Sequence, residues 1–144
     1  MAAGSFIVYD VWKNEIGKGG GGMSSVTFYG VICSSGYTPS AANDLSGTGA
    51  VSFALSAVAG QLSATPHALT SQEWSNVGSN TYRFDTADAT FTYSVATANK
   101  YFVVSRKSDG KLVCYCDLET GAGSGVDATK LIVQMPAGGL FSLA

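Results

Sequence analysis

Any imidazole-assisted chemistry in this chain must pass through His67, the only histidine. A serine or cysteine nucleophile needs such a base within hydrogen-bond reach, and no G-x-S-x-G elbow accompanies it. Ser108-Asp109-Gly110-Lys111 satisfies S-x-x-K, but it falls in a predicted hairpin turn rather than at the start of a buried helix. Cys33, Cys114 and Cys116 with His67 supply the donor types of a Cys3His zinc site. Cys114 and Cys116, however, stand two apart on one strand, whereas a zinc knuckle uses C-x2-C. An odd number of cysteines without a signal peptide reads as reduced thiols packed in strands. Asp85 with Asp88, and Asp117 with Glu119 and Asp127, offer two acidic loops that could bind calcium or act as an acid/base pair. Neither follows the twelve-residue oxygen-ligand pattern, and both read as turn-forming aspartates. Gly17-Lys18-Gly19-Gly20-Gly21-Gly22 matches G-x-G-x-x-G formally, but a strand follows it instead of a helix, so it reads as a flexible linker. No catalytic, cofactor or metal site is assigned, and the chain is read as non-enzymatic.

The elements that would position these residues are strands. Ser79 to Leu118 reads as four in succession: SNTYRFD, ATFTYSV, NKYFVVSR and KLVCYCDL. From Ala89 to Val95 the alternation is strict, with Phe91, Tyr93 and Val95 opposed to Thr90, Thr92 and Ser94, as in a half-buried strand. Tyr101 to Arg106 and Leu112 to Leu118 are apolar on both faces, which predicts central strands covered on both sides. Lys107-Ser108-Asp109-Gly110 between them carries the Asp-Gly pair of an antiparallel hairpin.

The rest of the chain is organised around that block. Val8, Val11, Trp12 and Ile16 share one helical face, predicting a helix of about two turns closed by Gly17; a strand through Phe6 to Val11 is the alternative. Val26 to Cys33 is a strand. A long loop from Ser34 to Gly49, with one helical turn near Ser40 to Leu45, leads to a half-buried strand carrying Val51, Phe53, Leu55 and Ala57. Pro66 to Thr70 predicts a short edge piece, and Ser71 to Gly78 a polar loop holding Trp74. Glu119 to Thr129 is a loop, Lys130 to Met135 a last strand, and Leu140 to Ala144 an apolar end that either completes the sheet or docks on a neighbour. The expected fold is therefore all-β, mainly an antiparallel β-sandwich or barrel-like, with a short N-terminal helix. It forms a single domain, with an arm and linker over 1–22, a β core over 23–137, and a C-terminal arm or last strand over 138–144.

Composition narrows the function classes. The 144 residues carry a net charge of -2, a pI near 5.1 and no basic stripe, so a nucleic-acid partner is not expected. No apolar run approaches the length of a membrane span and no targeting signal is visible, which reads as a soluble chain made in the cytosol. Charged residues are only 12%, about half the usual share. A surface so weakly charged repels itself poorly and suits a protein largely covered by other subunits. The residues best placed to anchor such contacts are aromatic and apolar groups in or beside loops and termini: Tyr9, Trp12, Tyr37, Pro39, Trp74, Leu140, Phe141 and Leu143.

Several of these pieces together resemble a family of small virion proteins from tailed bacteriophages. They are Tyr9-Asp10-Val11-Trp12, the strand Val26 to Cys33 running into Ser34-Ser35-Gly36-Tyr37-Thr38-Pro39, and the Ser46-Gly47-Thr48-Gly49 step. Ala96 to Val104 paired with Lys111 to Asp117 and the closing Gly138-Gly139-Leu140-Phe141-Ser142-Leu143 complete the layout. The glycines at 19–22 depart from a more acidic linker in that family. The resemblance implies a non-enzymatic structural part of the particle, above all a capsid decoration or cement protein. Such a protein sits on the shell as a small oligomer, a trimer by expectation, and binds the major capsid protein or other virion proteins. A neck, tail or head-fibre component is the alternative within the virion. From a different class, a carbohydrate-binding β-sandwich module would use Tyr37 and Trp74 as a stacking platform.

Overall fold

The computed structural model describes residues 5–18, 23, 25–36, 39–40, 67–119 and 126–143, with the backbone alone over 93–97 and 126–128. The expected strand through Val51 to Ala57, the turn near Ser40 to Leu45 and the glycines at 19–22 lie outside these residues.

Ten strands and one helix are built from the described residues. In order they are β1 (Ile7–Val8), α1 (Asp10–Gly17), β2 (Phe28–Cys33), β3 (His67–Ala68), β4 (Glu73–Gly78) and β5 (Thr81–Asp85). Then follow β6 (Ala89–Asn99), β7 (Tyr101–Arg106), β8 (Leu112–Asp117), β9 (Val126–Val133) and β10 (Phe141–Leu143). They form an all-β fold of open antiparallel sheets: a five-stranded sheet in the order β1-β8-β7-β2-β3, a three-stranded sheet β10-β5-β4 and a two-stranded sheet β6-β9.

The smaller sheets pack on one face of the larger. Phe28 of β2 meets Phe84 of β5 edge-on at 5.0 Å, and Phe91 of β6 meets Phe102 of β7 at 6.0 Å. Side chains alternate accordingly. Phe28, Ile32, Phe102, Val104, Cys114 and Cys116 enter the shared core, while Val31, Cys33, Tyr101, Val103 and Tyr115 join a second cluster with Tyr9. Both faces of β7 and β8 are thus covered, as their apolar pattern requires. Gly30 is a glycine because the Phe102 ring lies where a Cβ would stand.

The β7–β8 hairpin forms as its Asp-Gly pair predicts. Gly110 takes a φ of 72° and its N–H donates to the Arg106 carbonyl at 2.9 Å. In β6, Ala89 and Phe91 are buried while Thr90 and Thr92 are exposed, and opposite them in β9 Val133 and Leu131 are buried while Ile132 and Lys130 are exposed. The four successive strands do not make one sheet, however. β5, β6 and the β7–β8 pair belong to three different sheets. The crossing from β6 into β7 is fastened by Lys100, whose Nζ donates to the Glu119 carbonyl at 2.5 Å and pairs with Asp117 at 3.0 Å.

Other expectations are corrected. Residues 71–78 are not a loop: Glu73–Gly78 is strand β4, turned into β5 by Ser79 and Asn80. Both turn residues have positive φ, 51° and 59°, the signature of a type I′ hairpin connection. β9 begins at Val126, so the stretch read as a loop to Thr129 already pairs with β6, Val126 opposite Asn99. The helix and the alternative strand at the N-terminus both exist, in series, because Ile7–Val8 pairs with Tyr115 and Cys114 before the chain turns into α1. Within the expected arm, Ile7–Val8 is thus tied to the five-stranded sheet. Likewise the C-terminal end completes a sheet, Phe141 opposite Phe84 and Leu143 opposite Tyr82. Gly139 allows this, since at φ 76° it packs where a Cβ would strike the Phe84 carbonyl.

Candidate functional site

The residues that could do chemistry are each taken up by the fold. Cys114 and Cys116 face the shared core, while Cys33 faces the second cluster across the sheet. All three are buried free thiols, and burial pushes Cys33 up to about 12 and Cys114 well above an ordinary thiol. A thiolate nucleophile is disfavoured there. His67 sits on edge strand β3 with its ring 5.4 Å from Phe91. Asp85 pairs with Arg83 at 3.9 Å and its Oδ1 accepts the Thr86 N–H; Asp88 accepts the Met135 N–H. Asp117 accepts the Glu119 N–H and pairs with Lys100. Among the described residues no three His, Cys, Asp or Glu side chains gather as a metal would need, and no helix is long and apolar enough to cross a membrane.

Two tryptophan neighbourhoods remain, and they differ. The first is at the N-terminal end. Trp12, fully buried, lies edge-on to Phe28 at 5.7 Å, and the Arg106 guanidinium sits 5.2 Å over its ring. That guanidinium holds Asp109 through Nε at 2.9 Å and Nη2 at 2.5 Å, and reaches Glu15 of α1 at 3.1 Å. Lys111 closes the cluster by donating to the other Glu15 oxygen at 2.5 Å. The hydrogen bond from Lys111 holds the Glu15 carboxyl below the usual range, and Arg106 does the same for Asp109. This network ties the helix to the β7–β8 turn, and it is a structural device.

The second neighbourhood is the inner face of the β10-β5-β4 sheet. Cross-strand pairing places Trp74, Phe84 and Phe141 in one row and Asn76, Tyr82 and Leu143 in the next. Phe84 and Phe141 belong to the core, with rings 5.5 Å apart. The outer row overhangs the core edge. Tyr82 is 43% exposed and stacks on half-buried Trp74, rings 5.8 Å apart and 17° from parallel. Asn76 is exposed, and its Oδ1 accepts the Gly78 N–H at 2.8 Å. The charged residues of these strands, Glu73, Arg83 and Asp85, alternate onto the other face.

The expected anchors therefore divide. Tyr9, Trp12, Leu140 and Phe141 are corrected to core residues, buried because β1 and β10 pair within sheets of their own chain and α1 packs Trp12 against Phe28. Trp74 and Leu143 are half-buried on the same sheet face, and Pro39 is half-buried apart from it in sequence. Tyr37 lies outside the described residues. Tyr82 lies on a strand that its own alternation marks, but its partners do not follow from the sequence, because β4, which sets Asn76 opposite it and Trp74 diagonal to it, carries no strand signal of its own.

No known protein family, curated protein or solved structure matches the chain.

Proposed function

We propose that this chain is a non-enzymatic structural protein of a tailed-phage particle, which binds the outer shell as a decoration or cement protein. The observation that supports this reading is how the fold spends its few charges. Arg106 and Lys100 are buried, and Lys111, Glu15 and Asp109 are bound to one another or to Arg106. Among the described residues two cations are withdrawn from the surface and three further charges are paired, which favours close approach to other subunits over isolation in solvent. The resemblance to small phage virion proteins gives this habit a setting. Mechanistically, the protein contributes binding energy: apolar area removed from water at roughly 25 cal/mol per Å², less the ordering cost. Repeated over a shell, modest contacts add up to a stabilised particle.

Co-sedimentation tests this. The purified chain is mixed with particles lacking it and with the unassembled major capsid protein. It is expected to pellet with the assembled shell and to leave the unassembled subunits alone. Binding to neither, in a protein that is otherwise folded, would overturn the proposal.

A further inference from the structure

We infer that the outer row of the β10-β5-β4 sheet is a saccharide-binding subsite for a neutral sugar ring, with Tyr82 as the stacking surface and Asn76 as the hydrogen-bonding partner. The inference stands independently of where the protein resides.

Three features carry it. First, Tyr82 is exposed, yet its ring is held in place: it stacks on Trp74, which packs in turn against Phe141 at 6.3 Å. A ring fixed from behind loses little freedom on binding. Its negative π face attracts the weakly positive C–H face of a pyranose, and its phenol O–H remains a polar handle. Second, Asn76 stands directly across from Tyr82 on the same face. Its Oδ1 is committed to Gly78 N–H, which fixes the amide and leaves the Nδ2 hydrogens to donate to sugar hydroxyls. Aromatic area with a few oriented polar groups is the usual make-up of a small-ligand site. Third, the charges say what kind of ligand fits. Glu73, Arg83 and Asp85 occupy the opposite face, and Arg83 is further engaged with the Ala137 carbonyl at 3.1 Å. The row Asn76, Tyr82, Leu143 offers no formal charge, so an acidic sugar or a phosphorylated group finds no cation there. A purely apolar partner would leave the Asn76 amide unpaired, at a cost. A neutral saccharide satisfies both the ring and the amide.

The test is titration of the full chain with cellopentaose, maltopentaose and the pentamer of N-acetylglucosamine, followed by tryptophan fluorescence and calorimetry. At least one is expected to bind with Kd below about 1 mM and to change Trp74 emission. Tyr82→Ala is expected to weaken that binding by about tenfold or more, and Asn76→Ala by several-fold, on the scale of one lost stacking or hydrogen-bond contact. Tyr82→Phe is expected to keep most of it, because the ring remains. Tyr82 stands outside the buried core and loses one stacking contact, so a cooperative thermal transition shifted by no more than a few degrees in Tyr82→Ala will separate lost binding from lost fold. No response to any of the three probes at about 10 mM, or binding that survives Tyr82→Ala unchanged, would overturn the inference.

Discussion

The two tryptophans set two regions around one core against each other. Trp12 is sealed between Phe28 and the Arg106 guanidinium, inside a network of charges that joins the first helix to a hairpin about ninety residues away. Trp74 is half-buried on a neutral sheet face, its far side leaning on Phe141 and its near side offered to Tyr82. One region uses charge to close the core. The other leaves aromatic surface open where charge has been moved to the opposite face. The difference shows that residue type did not decide which tryptophan is available for contact. Placement in the fold did: α1 lays Trp12 between Phe28 and Arg106, while the register of β4 on β5 leaves Trp74 half-buried beside Tyr82.

The comparison can be broken most forcefully at the closed region. Trp12→Ala is expected to cost about 3–5 kcal/mol of stability in urea unfolding, as for a large buried aromatic; Trp74→Ala, half-buried, is expected to cost clearly less. Equal losses would erase the distinction drawn between them. Next, removing residues 141–144 takes away β10 and the Phe141 ring from the core. The expected result is a loss of about 3 kcal/mol or more, so that any lost binding follows from lost fold; a truncated chain as stable as the whole would return the segment to the role of a free arm.

The charge network predicts a smaller effect and a pH dependence. Glu15→Gln removes one carboxylate partner of Lys111 and one of Arg106, leaving Asp109 to both, and is expected to cost about 1–3 kcal/mol at neutral pH. Glu15 and Asp109 both have lowered folded-state pKa values. Their contribution is therefore present above the unfolded carboxylate range, about pH 4, and is lost as pH falls through the folded values. Denaturant midpoints measured from neutral to acid pH should fall below about pH 4 in the parent, and fall less in Glu15→Gln. The smallest effect belongs to the open region: Tyr82→Ala should cost about 0.5–1 kcal/mol, the worth of its stacking on Trp74.

How much of this was legible in the sequence depended on whether the signal was local. The Asp109-Gly110 turn, the alternation through Ala89 to Thr92 and the doubly apolar strands around Val103 and Cys114 report their own environment, and the all-β class with one short helix follows from them. β4 gave no such signal, because in Glu73-Trp74-Ser75-Asn76-Val77-Gly78 the two apolar residues are an odd number apart and so fall on opposite faces. Its turn was hidden as well, since Ser79 and Asn80 adopt positive φ without a glycine in either central position. The burial of Trp12 and Tyr9 was beyond local reading, because the groups that cover them, Arg106, Phe28 and Tyr115, arrive through pairing across most of the chain. For the same reason Trp74 could be named from sequence as an aromatic anchor while its partner Tyr82 could not.

The most direct test of the proposed assembly role is the copy number of this polypeptide in a purified phage particle, by quantitative mass spectrometry against the major capsid protein. A decoration role predicts one copy per capsid subunit or a fixed simple fraction of that number, as the symmetry of a shell requires. A ring-like number far below it would place the protein at the neck or tail, and absence from the particle would contradict the virion reading altogether.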